Sequence, residues 1–364
     1  MSPTVIAEAG VNHNGSLDLG LALVDAAADA GAQVVKFQTF VADRLVGRTT
    51  PKALYQQAQT EASESQHAML RRLELDRSAH VRLIRHCADR GIEFLSTPFE
   101  EQSVDLLVDV GIRRLKIPSG EITNGPLLLK AARTGLPVIL STGMSDLSDI
   151  EQALGVLTYG YLAPARATPT RAAFAAAYQT RQGQALLAER VTLLHCTSEY
   201  PAPVDSINLL AMDTLRARFG LAVGLSDHSE GIVVALAAAA RGATIIEKHV
   251  TLDRTLPGPD HRASIEPAEL RALVEGVATV ARALGRPEKA VQTCERANRD
   301  LGRKSLVAAV DIPAGTPLSP DHLIALRPGE GLSPMDLWDL VGRPADRHYR
   351  AGEAIGSQGV DAAA

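Results

Sequence analysis

The sequence predicts an α/β protein: a (β/α)8 TIM barrel followed by a small C-terminal module. Three observations carry this. Eight short apolar runs alternate with longer amphipathic stretches, the far ends of the runs are polar, and the pattern changes character near residue 303. At 364 residues the chain is long for one core and suits a large domain plus a small one.

The eight runs are Thr4–Gly10, Val34–Phe40, Glu93–Phe99, Arg114–Ser119, Pro137–Gly143, Val191–Ser198, Ala222–His228 and Ile245–Thr251. Between them lie helical patterns such as Leu17–Ala30, closed by Gly31 where a left-handed C-terminal residue is needed. Gly91, Gly111, Gly135 and Gly242 repeat that stop signal shortly before a run. Strand–helix alternation repeated eight times argues for a closed barrel over an open sheet. Two segments exceed the minimum. Asp43–Asp76, rich in Gln, Glu and Ser, is expected over the rim as a lid or short helices, and Ala163–Arg181 is expected to extend a peripheral helix. The predicted division is a barrel over 1–285, a charged linker over 286–302, and a β-rich or irregular module over 303–364, where strand-like runs are broken by Pro and Gly.

Composition narrows the function. A net charge of −5 gives no support to nucleic-acid or bilayer binding, so any anionic ligand must be held by local cations. No apolar stretch is long enough to span a membrane, and the N-terminus enters a strand-like run without a basic leader. Cys87, Cys196 and Cys294 are scattered and odd in number, which reads as buried thiols of a reducing cytosol; a cytoplasmic protein is expected.

The catalytic face of a TIM barrel is its C-terminal rim. Lys36 and Lys116 end the second and fourth runs; with the hydroxyls of Ser119, Ser141, Ser198 and Ser226 they make a donor-rich pocket suited to phosphate. The alternative is a lysine that merely snorkels to solvent. His228 and His249 end the seventh and eighth runs, adjacent around a barrel, and could share one divalent metal with open positions for substrate. Such a site suits manganese or magnesium better than structural zinc. Asp227 and Glu247 are expected to accept from the two imidazoles and fix their tautomers. His195, beside Cys196 in an apolar run, reads as supporting wall. Glu8, Glu121 and Asp260 occupy rim contexts, and carboxylates there suit a neutral, hydroxyl-rich second substrate.

Nine ordered segments together resemble the sialic acid synthase family, the phosphoenolpyruvate-dependent nonulosonic acid synthases. They are Ile6–Gly15, Val35–Thr39, Ser96–Phe99, Lys116–Glu121, Ser141–Met144, Leu194–Pro201, Gly224–His228, Glu247–His249 and Gly258–His261. The likeness continues through Arg303–Ser305 and Arg327–Gly329. The resemblance implies a barrel followed by an antifreeze-like (SAF, β-clip) domain, and a homodimer whose swapped C-terminal domain covers the partner's barrel mouth. It implies a phosphoenolpyruvate site at Lys36, Thr97, Lys116, Ser119, Ser141, Ser198 and Ser226. It further implies His228 and His249 as ligands of a divalent metal, Mn2+ first with Mg2+ or Co2+ as alternatives. Gln38, Glu121, Tyr200 and Asp260 are implied as sugar contacts, with Arg327 reaching in across the dimer. Ser198 stands where some members carry Asn, and both can donate to phosphate. Catalysis is assigned to Glu8, Lys36, Lys116, His228 and His249, with Glu8 handling a proton or placing a water.

The expected function is N-acetylneuraminate synthesis, phosphoenolpyruvate condensing with open-chain N-acetylmannosamine and releasing phosphate by C–O cleavage. One alternative is N,N'-diacetyllegionaminate synthesis from 2,4-diacetamido-2,4,6-trideoxymannose, an N-acylated mannose-type sugar with a methyl group at C6. Two others are a non-catalytic carbohydrate- or ice-binding protein and a metal-dependent aldolase. A polar barrel rim argues against the first of these, the paired lysines against the second.

Overall fold

A computed structural model describes residues 2–53, 56–57, 64–164 and 166–356. The chain divides into two compact units, Met1–Gly285 and Arg286–Ala364. The first is a barrel of eight parallel strands: β1 (Thr4–Gly10), β2 (Val34–Thr39), β3 (Glu93–Pro98), β4 (Leu115–Ile117), β5 (Val138–Ser141), β6 (Val191–Cys196), β7 (Ala222–Asp227) and β8 (Ile245–His249). The hydrogen-bonded order is β3-β2-β1-β8-β7-β6-β5-β4, and β3 lies against β4 to close the ring. Each of the eight apolar runs is therefore a strand.

The intervening helices start and stop where their side chains dictate. The Ser16 hydroxyl accepts from Leu19 N to open the helix Leu17–Asp29, and the Asp76 carboxylate caps Arg77–Arg90 at Ala79 N. That second helix ends on Gly91, whose φ of 68° would strain any residue with a Cβ. Their apolar faces close over the outside of the strands, and Val24, Leu83, Leu107, Leu128 and Leu154 join the strand residues in one continuous core.

Both long connections take definite form. After β2 come the short helices Ala42–Leu45 and Gln66–Arg71, which pack a small core of their own from Val11, Phe40, Met69 and Leu73. Residues 54–55 and 58–63 of the expected lid lie outside the described residues. Ala163–Arg181 does not prolong the preceding helix, which stops at Leu162; it forms a separate helix, Arg171–Tyr178. Phe174 docks edge-on against Tyr159 at 5.2 Å, and Gly155 admits the Phe174 backbone, so packing of the aromatic pair turns the chain back.

The second unit holds the helix Arg296–Gly302 and an antiparallel pair, β9 (Ser305–Ala308) with β10 (Leu323–Leu326). Isolated bridges such as Ile312 to Tyr349 extend the pair around a core of Leu306, Ile312, Leu318, Tyr349 and Ile355. Residues 357–364 lie outside the described residues. Cys87 and Cys196 are buried as expected, but Cys294 is exposed, since the segment around it offers few apolar neighbours. Among the described residues no helix is long and apolar enough to cross a membrane.

Strand alternation decides what faces the barrel interior. On β7 and β8, Ser226, His228, Glu247 and His249 point inward, so Asp227 and Lys248 point out. There Lys248 Nζ meets Asp227 Oδ2 at 2.8 Å with neither side chain exposed. Lys248 also donates to the Ser229 carbonyl, and Asp227 Oδ1 accepts from Ser229 N at 2.9 Å. This pair pins β7 to β8 directly behind the two histidines. Removing one partner strands a buried charge, so Lys248→Met should cost about 3–5 kcal/mol in urea unfolding. Adding Asp227→Leu should restore part of that loss; a double variant no more stable than Lys248→Met would refute the pair as its cause.

Candidate active site

At the C-terminal ends of the strands lies a cavity of about 550 Å³, within the usual size for a ligand site. A larger one, about 830 Å³, opens on the barrel's flank between the helices Leu147–Leu162 and Arg171–Tyr178. Volume alone favours the flank. Chemistry favours the rim, because no buried lysines or histidines converge on the flank cavity.

The rim cavity is lined by Glu8, Lys36, Gln38, Thr97, Lys116, Ser119, Glu121, Ser141, Ser198, Tyr200, Ser226, His228, His249 and Asp260. These are all the residues proposed from the sequence except Arg327, which belongs to the second unit and is exposed just after β10. Their convergence follows from the parallel barrel, which aligns the ends of all eight strands on one face.

The floor is a buried network of four charges. Lys36 Nζ lies 2.6 Å from Glu8 Oε2 and 3.7 Å from Glu247 Oε2, and donates to Thr97 Oγ1 at 3.0 Å. Lys116 Nζ meets Glu247 Oε1 at 3.0 Å, and Ser226 Oγ donates to the same oxygen at 2.9 Å. Gln38 Nε2 donates to Glu8 Oε1 at 3.3 Å. Glu247 is therefore the acidic partner of both lysines and fixes neither imidazole, contrary to expectation. Asp227 is likewise turned away from the histidines, held by Lys248. Alternation was the overlooked signal: Glu247 shares its face with His249 two residues on, whereas Asp227 cannot share a face with His228. Glu8 too faces cations, where a sugar-facing carboxylate was expected.

Burial and charge split these four groups apart. Burial pushes the Glu8 carboxyl up to about 7, against the opposing pull of Lys36. Burial acts on Glu247 in the same sense, but Lys116 and then Lys36 overcome it and hold that carboxylate down at about 2. Burial alone would depress Lys36, yet Glu247 and Glu8 raise it above the ordinary lysine value. Lys116, with Glu247 as its main support and Lys36 as a repelling neighbour, is lowered by burial.

Beside the floor stand the histidines, their ring centroids 5.4 Å apart. His228 Nδ1 lies 2.8 Å from the Thr197 carbonyl, which can only accept, so Nδ1 carries a proton. Burial works against charge on this ring, yet the adjoining Cys196 raises its pKa above the ordinary value, so a metal on Nε2 would compete with a proton there. His249 Nδ1 is buried without a hydrogen bond, 3.7 Å from Asp260 Oδ2. Burial and the neighbouring His228 hold its pKa well below the ordinary value, leaving a neutral imidazole. Two imidazoles beside a carboxyl can hold a divalent cation once His228 gives up its Nε2 proton. Among the described residues no group of three or more His, Cys, Asp or Glu surrounds one point, so the rest of any coordination falls to substrate or water.

Tyr200 lies over His228 at 4.1 Å between centroids and edge-on to His249 at 5.6 Å, so it walls the imidazole pair as well as facing the cavity. Ser119 Oγ accepts from Gly143 N at 3.0 Å, while the buried Ser141 Oγ makes no hydrogen bond. Glu121 accepts from Asn124 Nδ2 at 2.7 Å. His195 is tied to the Ile207 carbonyl, as a supporting residue should be. Cys196 comes as an addition: its Sγ lies 3.7 Å from His228 Nδ1 on the cavity wall.

Comparison with known proteins shows the family. Residues 23–289 match the NeuB family and 303–358 the SAF domain. The chain is 45% identical over 351 residues to the N,N'-diacetyllegionaminic acid synthase of Campylobacter jejuni, covering 96% of this chain and 98% of that protein. It is 43% identical over 355 residues to the synthase of the same name from Legionella pneumophila, covering 98% and 94%. The N-acetylneuraminic acid (sialic acid) synthetase of Leptospira borgpetersenii, crystallised with citrate, superposes with a TM-score of 0.66 at 32% identity over 82% of this chain and 90% of that one. A TIM barrel whose rim gathers these lysines, serines and histidines, followed by a SAF domain, thus belongs to the NeuB family of nonulosonic acid synthases, and the chain is an enzyme.

Proposed function

We propose that this chain is an N,N'-diacetyllegionaminate synthase, condensing phosphoenolpyruvate with 2,4-diacetamido-2,4,6-trideoxymannose. The observation that carries this reading is its similarity, over nearly the full length of both chains, to two legionaminic acid synthases. The neuraminate synthetase of Leptospira is more distant. N-acetylneuraminate synthesis, the reading placed first from sequence, accordingly takes second place.

The rim supplies what the reaction needs. Lys36 and Lys116 with the hydroxyls of Ser119, Ser141, Ser198 and Ser226 receive the phosphate, and Thr97 holds Lys36 in place. His228 and His249 would hold a divalent cation, Mn2+ first, which when present would supply Lewis-acid polarisation of the sugar's aldehyde oxygen. A bond forms between C3 of phosphoenolpyruvate and the aldehyde carbon, leaving cationic character at C2 and negative charge on the aldehyde oxygen. Water adds at C2, and phosphate departs as its C–O bond breaks. As C2 becomes a ketone the water's second proton leaves with the phosphate; its first must reach the aldehyde oxygen. A single carboxyl poised near neutrality can pass it between them, and Glu8, at about 7, is that group. Arg327 completes the sugar site across a swapped homodimer in this reading.

Substrate choice is tested by a panel of aldoses with phosphoenolpyruvate after chelation and metal replacement. The trideoxy sugar should release phosphate with Mn2+ and not without it; release from N-acetylmannosamine alone would overturn the assignment. His249→Ala should lose Mn2+ binding by isothermal titration while keeping its circular dichroism spectrum, and undiminished binding would remove the histidine from the metal site. Glu8→Gln should lose at least about 10²-fold in kcat. The same substitution should change stability in the opposite sense. The folded pKa of about 7 lies above the reference 4.5, so this group's contribution is fully present below pH 4.5 and lost as pH rises through 7. At pH 8 Glu8→Gln should therefore be more stable than the natural protein by about 1–3 kcal/mol, an advantage that vanishes near pH 4. An equal effect at both pH values in urea titrations would refute a raised pKa.

A further inference from the structure

The rim cavity has two chemically distinct halves. Its floor holds the lysines, carboxylates and histidines; the side formed by the connection after β2 is mainly aliphatic and aromatic. Leu45 and Val46 at the end of one short lid helix, Met69, Leu70 and Leu73 around the other, and Phe99 after β3 all line the same cavity. Leu45, Leu70 and Phe99 are half-buried and pack on the small core beneath the lid, and Phe40 meets Phe99 edge-on at 6.0 Å. The wall is thus fixed from behind by its own core. The two amides that share the lid, Gln56 and Gln66, bond to each other at 3.5 Å.

This wall faces the volume that the proposed acceptor must occupy, since phosphoenolpyruvate takes the lysine and serine floor. The two candidate sugars differ in what they would place there. N-acetylmannosamine carries a hydroxyl on C6 and another on C4. The trideoxy sugar carries a methyl group at C6 and an acetamido group, with its own methyl, at C4. A hydroxyl pressed against aliphatic side chains loses its hydration without a replacement partner, whereas a methyl group gains from the same burial.

We infer that the apolar lid wall, centred on Val46 and Leu70, seats the C6 methyl group of the acceptor and selects the 6-deoxy, diacetamido sugar over N-acetylmannosamine. The inference rests on the reading that the chain makes legionaminate, and deepens it by naming the residues that choose the sugar. Because an aliphatic pocket rejects an added hydroxyl only moderately, a discrimination of about 10²-fold is the scale to expect.

The test compares kcat/KM for the two sugars, at saturating phosphoenolpyruvate and Mn2+, in the natural protein, Val46→Thr and Leu70→Gln. Val46→Thr keeps the side chain's shape and changes only its polarity, so it remains informative if Leu70→Gln folds poorly. Each variant should lose about 10-fold or more on the trideoxy sugar while holding or gaining on N-acetylmannosamine, with the KM for phosphoenolpyruvate steady. Equal losses on both sugars, or no change on either, would overturn the wall's role and leave the legionaminate reading intact. Failure of the natural protein to turn over the trideoxy sugar would instead overturn that reading, and this inference with it.

Discussion

Everything at the rim depends on the buried network of Glu8, Lys36, Lys116 and Glu247. Two ammonium groups in a closed barrel mouth would not stay charged alone, because removing an ion from water costs several kcal/mol. Two carboxylates on neighbouring strands make their burial tolerable, and the cations are thereby kept ready for an anion. The four side chains come from β1, β2, β4 and β8, so the network also ties the barrel together across its mouth. Its components are unequal. Glu247 is held ionised by two lysines, whereas Glu8, with one close lysine and full burial, sits near neutrality. The same burial that raises the Glu8 carboxyl makes its ionisation costly to the fold.

Behind this floor a second buried ion pair serves geometry. Lys248 and Asp227 face away from the cavity, and their pairing fixes the two strands whose next residues are His249 and His228. Chemistry inside and anchoring outside alternate along the same few residues. The imidazoles are then trimmed individually, His228 by a backbone carbonyl and His249 by burial beside Asp260. No carboxylate is spent on the tautomer of His228, which leaves Glu247 to the lysines.

The lid adds a different chemistry. A floor of charges can hold phosphate and activate an aldehyde, but it has little means of telling a methyl group from a hydroxymethyl group. The aliphatic side chains after β2 offer that means in the inference drawn above, and they are built on a connection with a small core of its own. Under the readings proposed above, reaction and acceptor choice would reside in separate parts of one cavity, on the strand ends and on the loop after β2.

The barrel was legible from the sequence because its signals are local. Eight apolar runs, capping side chains at Ser16 and Asp76, and a glycine stop at Gly91 each act through neighbours in the chain. The candidate site residues were legible for the same reason, since a polar residue ending an apolar strand has few explanations. Partnership was not. Whether Glu247 meets a histidine or a lysine depends on which face of β8 it occupies and on strands far away in sequence, and only the closed barrel brings Lys36 and Lys116 to it. The separate helix Arg171–Tyr178 and the apolar lid wall likewise arise from contacts across the chain, Tyr159 with Phe174 and Phe40 with Phe99. Local patterning determined the elements and the inventory of reactive groups. Tertiary packing decided which charges meet, and therefore which carboxyl is held ionised and which is pushed toward its neutral form.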